Sequence, residues 1–223
     1  MRPPAVVASV GSNLPTARVV PTAASDTSWH HLCGDWVCRI RHHGRVSQTS
    51  RPVADPLSIA ALDTERHVAA SGWDQNPRLF ALVPTAELLE REPHLRSQMR
   101  GSDLAAGALS AIEQEDLPPT SNLESLLGGI AWPDSVVGAA LAVERIVVPP
   151  EAERDLPAHT ESAVDALAAH PLRQDVRLLV AVTRDGQSRC LLRQRAHDSD
   201  DQVAMGEDIA PGLVHALRAT LEG

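Results

Sequence analysis

Lysine and tyrosine are absent from this 223-residue chain, phenylalanine occurs once (Phe80), and all 20 basic side chains are arginine. The codons of the missing residues are AT-rich, so a GC-rich genome explains the pattern without a selected role for arginine. The absences still exclude some chemistry. A chain without lysine cannot build the usual P-loop, and no Gly-x-Gly-x-x-Gly follows a strand-like segment. With so few aromatic residues, the core has to be Leu, Val, Ala and Ile, and the four Trp become its large packing anchors. Cys33, Cys38 and Cys190 are too few and too unevenly spaced for a disulfide framework. No apolar run approaches the roughly 18 residues of a spanning helix. Ala5–Val10 is short and broken by Gly11 and Ser12, which makes a poor secretory signal. These features describe a cytoplasmic protein.

Positive charge is also scarce, and unevenly placed. The net charge is -9. Residues 1–55 hold six Arg against Asp26, Asp35 and Asp55, about +3, while the remainder holds 14 Arg against 26 acids, about -12. An acidic body lacks the basic footprint that nucleic acid requires and gains nothing from an anionic membrane surface. Neither is an expected partner. A protein partner, or a second copy of the chain, is.

Residues 1–52 have little apolar periodicity and many Pro, Ser, Thr, Arg and His. Such a segment cannot bury enough surface to offset chain entropy, so a disordered leader is expected. It contains no Glu, unlike the rest, which fits translation begun upstream of a true start near Val53. Its His30, His31, Cys33, Cys38, His42 and His43 are zinc-ligand types, but adjacent histidines do not easily ligate one ion. No metal and no cofactor are expected.

From residue 53 the texture is that of a single domain. Asp55-Pro56 is a helix start, an N-cap followed by Pro at the first position, and Gly72 is its natural stop. Arg78–Val83 reads as a strand ended by Pro84, and Thr85 as the cap of a helix interrupted at Pro93. Residues 101–120 read as a long connection, followed by a capping box at Ser121–Glu124 and a helix to Ile130. Val136–Val148 is a Val-rich strand, and Thr160–His170 a short helix. Asp175–Thr183 and Ser188–Ala196 flank Asp185-Gly186, which favours a two-residue hairpin turn. Asp208 is the expected cap of a final helix. The fold class is therefore α+β: one domain over residues 53–223, with an antiparallel or mixed sheet of about four strands flanked by helices.

No catalytic constellation emerges. His197-Asp198 cannot act as a triad pair from adjacent positions on a strand end, no Gly-x-Ser-x-Gly elbow exists, and Cys190 falls mid-strand. Two acidic loops, one with Glu113, Glu115 and Asp116 and the other with His197, Asp198, Asp200 and Asp201, supply oxygen ligands for a cation. They support a metal-assisted hydrolase as the alternative to the preferred reading, a non-enzymatic binding or adaptor protein.

Two further groups stand out. A two-residue turn would pair Leu178 with Arg193, Val176 with Arg195 and Val182 with Arg189. That makes an arginine row which can bind a partner or pair with the domain's own acids. Trp73, Asp74, Gln75 and Arg78 gather at a helix–strand junction, as a ligand pocket or a packed corner.

The strings Gly72-Trp73-Asp74-Gln75, Pro77–Thr85, Ile112–Glu115, Ala131-Trp132-Pro133, Val143-Glu144-Arg145, His170-Pro171, Arg184-Asp185-Gly186 and Pro211-Gly212-Leu213 are distinctive together. Through them, residues from about 57 to 223 resemble an uncharacterised family of actinobacterial hypothetical proteins. The resemblance implies a bacterial cytoplasmic protein and brings no activity, cofactor or catalytic residue with it.

Overall fold

Asp55 caps the first helix of the computed structural model as expected, its carboxylate accepting from the Ser58 amide at 2.9 Å. The structure describes residues 18–19, 55–99, 101, 103–115, 117, 123–148, 166, 168–207 and 209–222. In chain order the elements are β1 (Arg18–Val19), α1 (Pro56–Ala70), β2 (Arg78–Pro84), α2 (Thr85–Arg91), β3 (Leu109–Glu113), α3 (Leu123–Gly128), β4 (Ile130–Ala131), β5 (Gly138–Val147), β6 (Gln174–Thr183), β7 (Ser188–Gln194), β8 (Ala204–Gly206) and α4 (Pro211–Ala219). A 3₁₀ segment, Pro93–Gln98, follows α2, because Pro93 cannot continue its hydrogen-bond ladder.

The main sheet has six strands, not about four, in the order β3-β2-β5-β6-β7-β8, and every neighbouring pair is antiparallel. The two missed strands lie at its edges. β3 was hidden in the connection after residue 101, and β8 has three residues within an acidic loop. β1, inside the expected structureless leader, pairs with β4 in a separate two-stranded sheet. The remainder of the leader, with its His and Cys residues, lies outside the described residues, as do most of the expected 160–170 helix and Asp208. α4 starts instead with Pro211 at its first position, which suits a residue lacking the amide hydrogen. Thr85 begins α2 rather than capping it, and its hydroxyl pairs with Ser110 at 2.8 Å.

Helices cover both faces of the sheet, which is why β2, β5 and β6 read as continuous apolar runs rather than alternating ones. Leu79, Ala81, Val83, Leu141, Val143, Val180 and Cys190 face a core shared with α2, α3 and α4. Phe80, Leu82, Ala140, Ala142, Leu179, Ala181 and Leu191 face α1. The sheet alanines on that side, Ala111 of β3 among them, leave room for α1.

Close approach also governs Gly138. A Cβ there would lie 2.5 Å from the Val182 carbonyl oxygen and 3.1 Å from Thr183 Cγ2. Backbone cannot yield as a flexible side chain can. Gly138→Ala is expected to destabilise the fold by about 1–3 kcal/mol, read as a lowered urea midpoint at unchanged m-value.

The hairpin departs from expectation in a way that decides the site. Gly186 has φ +91°, and the Thr183 amide donates to the Gln187 carbonyl oxygen at 3.1 Å. The connection is thus a three-residue loop, Arg184-Asp185-Gly186, with glycine in the left-handed position. The extra residue shifts the register by one. Arg193 lies opposite Arg177, and Arg189 opposite Ala181, instead of Leu178 and Val182. Val176 faces Gln194, and Arg195 has left the strand for a 3₁₀ turn. A one-residue slip moves side chains to the other face. Arg189 and Arg193 therefore point under α1.

Candidate functional site

The apolar floor beneath α1 ends in a charged row. Register places Glu144 of β5 opposite Arg177 of β6, and Arg177 opposite Arg193 of β7, so three ionisable side chains share the α1 face. Like charges directly opposite repel, and Arg177 and Arg193 are both almost completely buried, at 1% and 2% exposure. Their neighbours explain how this is tolerated.

Arg193 is held by α1. Leu57, Ala61 and Val68 form the buried stripe of that helix, and Glu65 falls on the same stripe one turn after Ala61. Its carboxylate accepts two hydrogen bonds from the Arg193 guanidinium, at 2.6 and 2.7 Å. Asp198 and Asp200 complete the shell at 3.1 and 2.7 Å. The hydrogen bonds with Glu65, ahead of the opposing effect of burial, raise the pKa of Arg193. At the other end of α1, Arg189 donates to Asp55 at 3.0 Å and to Ser58 Oγ at 2.9 Å. Four residues of strand span about 13 Å, and the ten residues from Asp55 to Glu65 rise about 15 Å, so two arginines of one strand hold one helix at its N-cap and again ten residues on.

Arg177 lies under the turn that leaves α1. Its guanidinium carbon is 4.4 Å from the centre of the Trp73 ring, a cation–π distance. Its Nη2 donates to Glu144 at 2.9 Å and to the Gly72 carbonyl oxygen. Among the described residues its Nε and Nη1 are buried and donate to nothing. The turn needs unusual backbone: Gly72 has φ +84° and Asp74 +65°. Glycine takes that conformation freely, and aspartate is one of the few other residues that does.

The outer layer is latched by charge. Trp73 Nε1 donates to Asp198 at 2.8 Å. Asp74 accepts a two-pronged hydrogen bond from Arg195, at 2.7 and 2.8 Å, and its amide donates to Glu144 at 2.8 Å. Hydrogen bonding from Arg195 lowers the pKa of Asp74, and that from Trp73 lowers the pKa of Asp198. Gln75 turns inward, donating to the Gly72 and Val68 carbonyls and accepting from Arg78. Arg78 in turn forks onto Glu113 at 2.5 Å on both prongs, with His67 Nε2 at 2.8 Å. Burial alone would raise the Glu113 carboxyl. Hydrogen bonds from His67 and Arg78, with the Arg78 charge, outweigh it and hold the group at about 2.

Trp73 and Asp74 thus meet Arg195 beyond the end of α1, and Asp198 links Trp73 to Arg193, joining residues that the sequence keeps about 120 apart, while Gln75 and Arg78 turn toward Glu113 and His67. Arg189 stands apart at the other end. Each of the three arginines pairs with the chain's own acids, and of the three only Arg195 is exposed. Sequence reasoning missed Arg177, Glu65, Glu144 and His67. Arg177 did leave a signal, a cation inside the apolar run Val176–Val182.

The two acidic loops both reach α1, at different points. Glu113 meets Arg78 and His67, while Asp198 and Asp200 meet Arg193. Glu115 and His197 are exposed, and Asp116 lies outside the described residues. Among the described residues no group of three or more His, Cys, Asp or Glu could hold a metal ion. Cys190 is buried, its Sγ 3.5 Å from the Glu207 carbonyl oxygen. Among the described residues no helix is long and apolar enough to cross a membrane.

A family model described as PPA1309-like protein matches residues 57–222, the span of nearly every element above. No curated protein and no solved structure matches the chain.

Proposed function

The chain belongs to the PPA1309-like protein family, and we propose that it is a non-enzymatic binding protein whose contact surface is the Trp73 end of α1. The observation that supports this reading is the half-buried Trp73 ring, with Arg177 on it at 4.4 Å and the exposed Arg195 at 5.6 Å. Trp and Arg are the residue types most enriched at binding hot spots, because each offers a large, rigid, partly polar surface. The loop that presents the ring is shaped by the left-handed residues on either side of it, Gly72 and Asp74.

The test is affinity capture from native lysate with the wild-type chain and Arg195→Glu, each first shown to melt cooperatively. The expected result is a protein, or a second copy of this chain, retained by the wild type and lost by Arg195→Glu. Identical capture by the two would overturn the reading. So would a strictly monomeric wild type that retains nothing.

A further inference from the structure

The buried Arg177 raises a question that the contact surface alone leaves open. Two of its donors, Nε and Nη1, are buried with no acceptor among the described residues. Guanidinium groups present five N–H donors in a fixed fork, and a buried donor left unmade is costly. Arg193 stands directly across from it, and Arg195 follows two residues later. Three guanidinium groups therefore gather at one end of the sheet, in a chain whose net charge is -9.

What covers them is held by polar contacts, most of them at the solvent edge. Trp73 belongs to neither hydrophobic core cluster. Its turn is tied down by the exposed Trp73–Asp198 hydrogen bond, the exposed Arg195–Asp74 pair, the Asp74 amide on Glu144 and the Gly72 carbonyl on Arg177. Gln75 adds bonds to the Gly72 and Val68 carbonyls, but the ties made by Trp73 Nε1 and by Asp74 lie in water, where such contacts contribute little and can open. Every acceptor side chain now on this row is a carboxylate: Glu65, Glu144, Asp74, Asp198 and Asp200. Of these, Asp74, Asp198 and Asp200 sit on exposed turns.

We propose that Arg177, Arg193 and Arg195 form a carboxylate-binding site closed by the Trp73 turn, with Asp74 and Asp198 standing where a ligand's carboxylates would sit. The inference rests on the binding reading and adds the ligand's chemistry to it. Opening swings the indole off Arg177 and frees Arg195 from Asp74, so that a ligand bearing two or three carboxylates bridges the row. Arg177 supplies the otherwise unmade hydrogen bonds. The carboxylates can come from a small polycarboxylic acid or from an acidic segment of a protein.

Isothermal titration of the full chain distinguishes these, using tricarballylate and a triglutamate peptide, with inorganic phosphate and sodium chloride at matched ionic strength as controls. Saturable one-to-one binding of at least one carboxylate probe is expected, tighter than phosphate, and the tighter of the two identifies the source. Arg195→Gln, an exposed change that leaves the fold intact, is expected to weaken it about tenfold, the loss of one charge-assisted fork. Trp73→Ala is expected to tighten it about tenfold if the closed form holds about nine-tenths of the molecules, because removing a cover raises the binding-competent fraction. A merely structural Trp73 would not produce that gain. Absence of binding beyond the chloride control, phosphate binding as tightly as both carboxylates, or an affinity indifferent to both variants would each overturn the proposal. Lysate capture lost in Arg195→Glu, with no carboxylate binding, would leave the contact surface standing and remove this site.

Discussion

Replacing Arg193 by Met is expected to cost about 3–5 kcal/mol of stability. The reason lies in the asymmetry of its partners. Glu65 is 2% exposed, and its carboxylate accepts from Arg193 alone among the contacts described. Removing the guanidinium strands a charge inside the α1–sheet contact, where water cannot replace the lost hydrogen bonds. The reverse change, Glu65→Leu, is expected to cost less, because Arg193 keeps Asp198 and Asp200 at the solvent edge. The double variant Glu65→Leu/Arg193→Met should recover most of the loss, since a buried ion pair replaced by apolar side chains of similar volume is often neutral. Urea unfolding of the four proteins checks this as a double-mutant cycle. If Arg193→Met alone moves the midpoint no more than an ordinary surface change does, then the pair does not hold α1 to the sheet.

The same pair shows how far the sequence can be read. The helix carrying Glu65 was legible from Asp55-Pro56 and Gly72, and its stripe of Leu57, Ala61 and Val68 sits at helical spacing. A glutamate on that stripe is a charge pointing at the core, which asks for a buried cation. The cation's identity was not legible, because it depends on the hairpin register. Asp185-Gly186 marks the turn correctly, yet a two-residue and a three-residue loop read alike, and Gly186 at φ +91° belongs to the longer one. One residue of slip separates an arginine row facing a partner from two arginines braced under α1.

The edge strands failed for a different reason. Leu109–Glu113 and Ala204–Gly206 are short and offer three or fewer apolar side chains each, and neighbours supply their pairing rather than their own pattern. The continuous runs of β2, β5 and β6 were plain, since burial on both faces leaves few polar interruptions. Arg177 is the informative exception, a cation flanked in sequence by Val176 and Leu178. The convergence of Trp73 with Arg193 and Arg195 could not be read at all, because β5 and β6 place them together only after the sheet is assembled.

Glu113 provides the second large effect, one expressed through pH. In the folded chain its carboxyl titrates at about 2, against 4.5 for the ordinary group. A carboxyl depressed on folding contributes stability that is fully present above its unfolded pKa and is lost as pH falls through the folded value. The window is therefore pH 4.5 down to about 2, and the contribution at neutral pH is bounded at about 3 kcal/mol. The fork from Arg78 is mostly buried on both sides, at 17% and 23% exposure, so salt screens it less than it would an open surface pair. Other carboxyls are also lowered, Asp55, Asp74 and Asp198 among them, each by its own partners. Acid sensitivity of the wild type alone would not isolate Glu113. The comparison with Glu113→Gln does. The amide keeps the shape but cannot carry the charge that Arg78 and His67 surround. The variant is expected to be less stable by up to about 3 kcal/mol at pH 7, with the gap closing between pH 4.5 and 2 as the wild-type carboxyl takes up its proton. Urea midpoints for both proteins across that range measure the gap directly, and a constant offset at every pH would mean that the Arg78 fork stabilises the native state no more than water does.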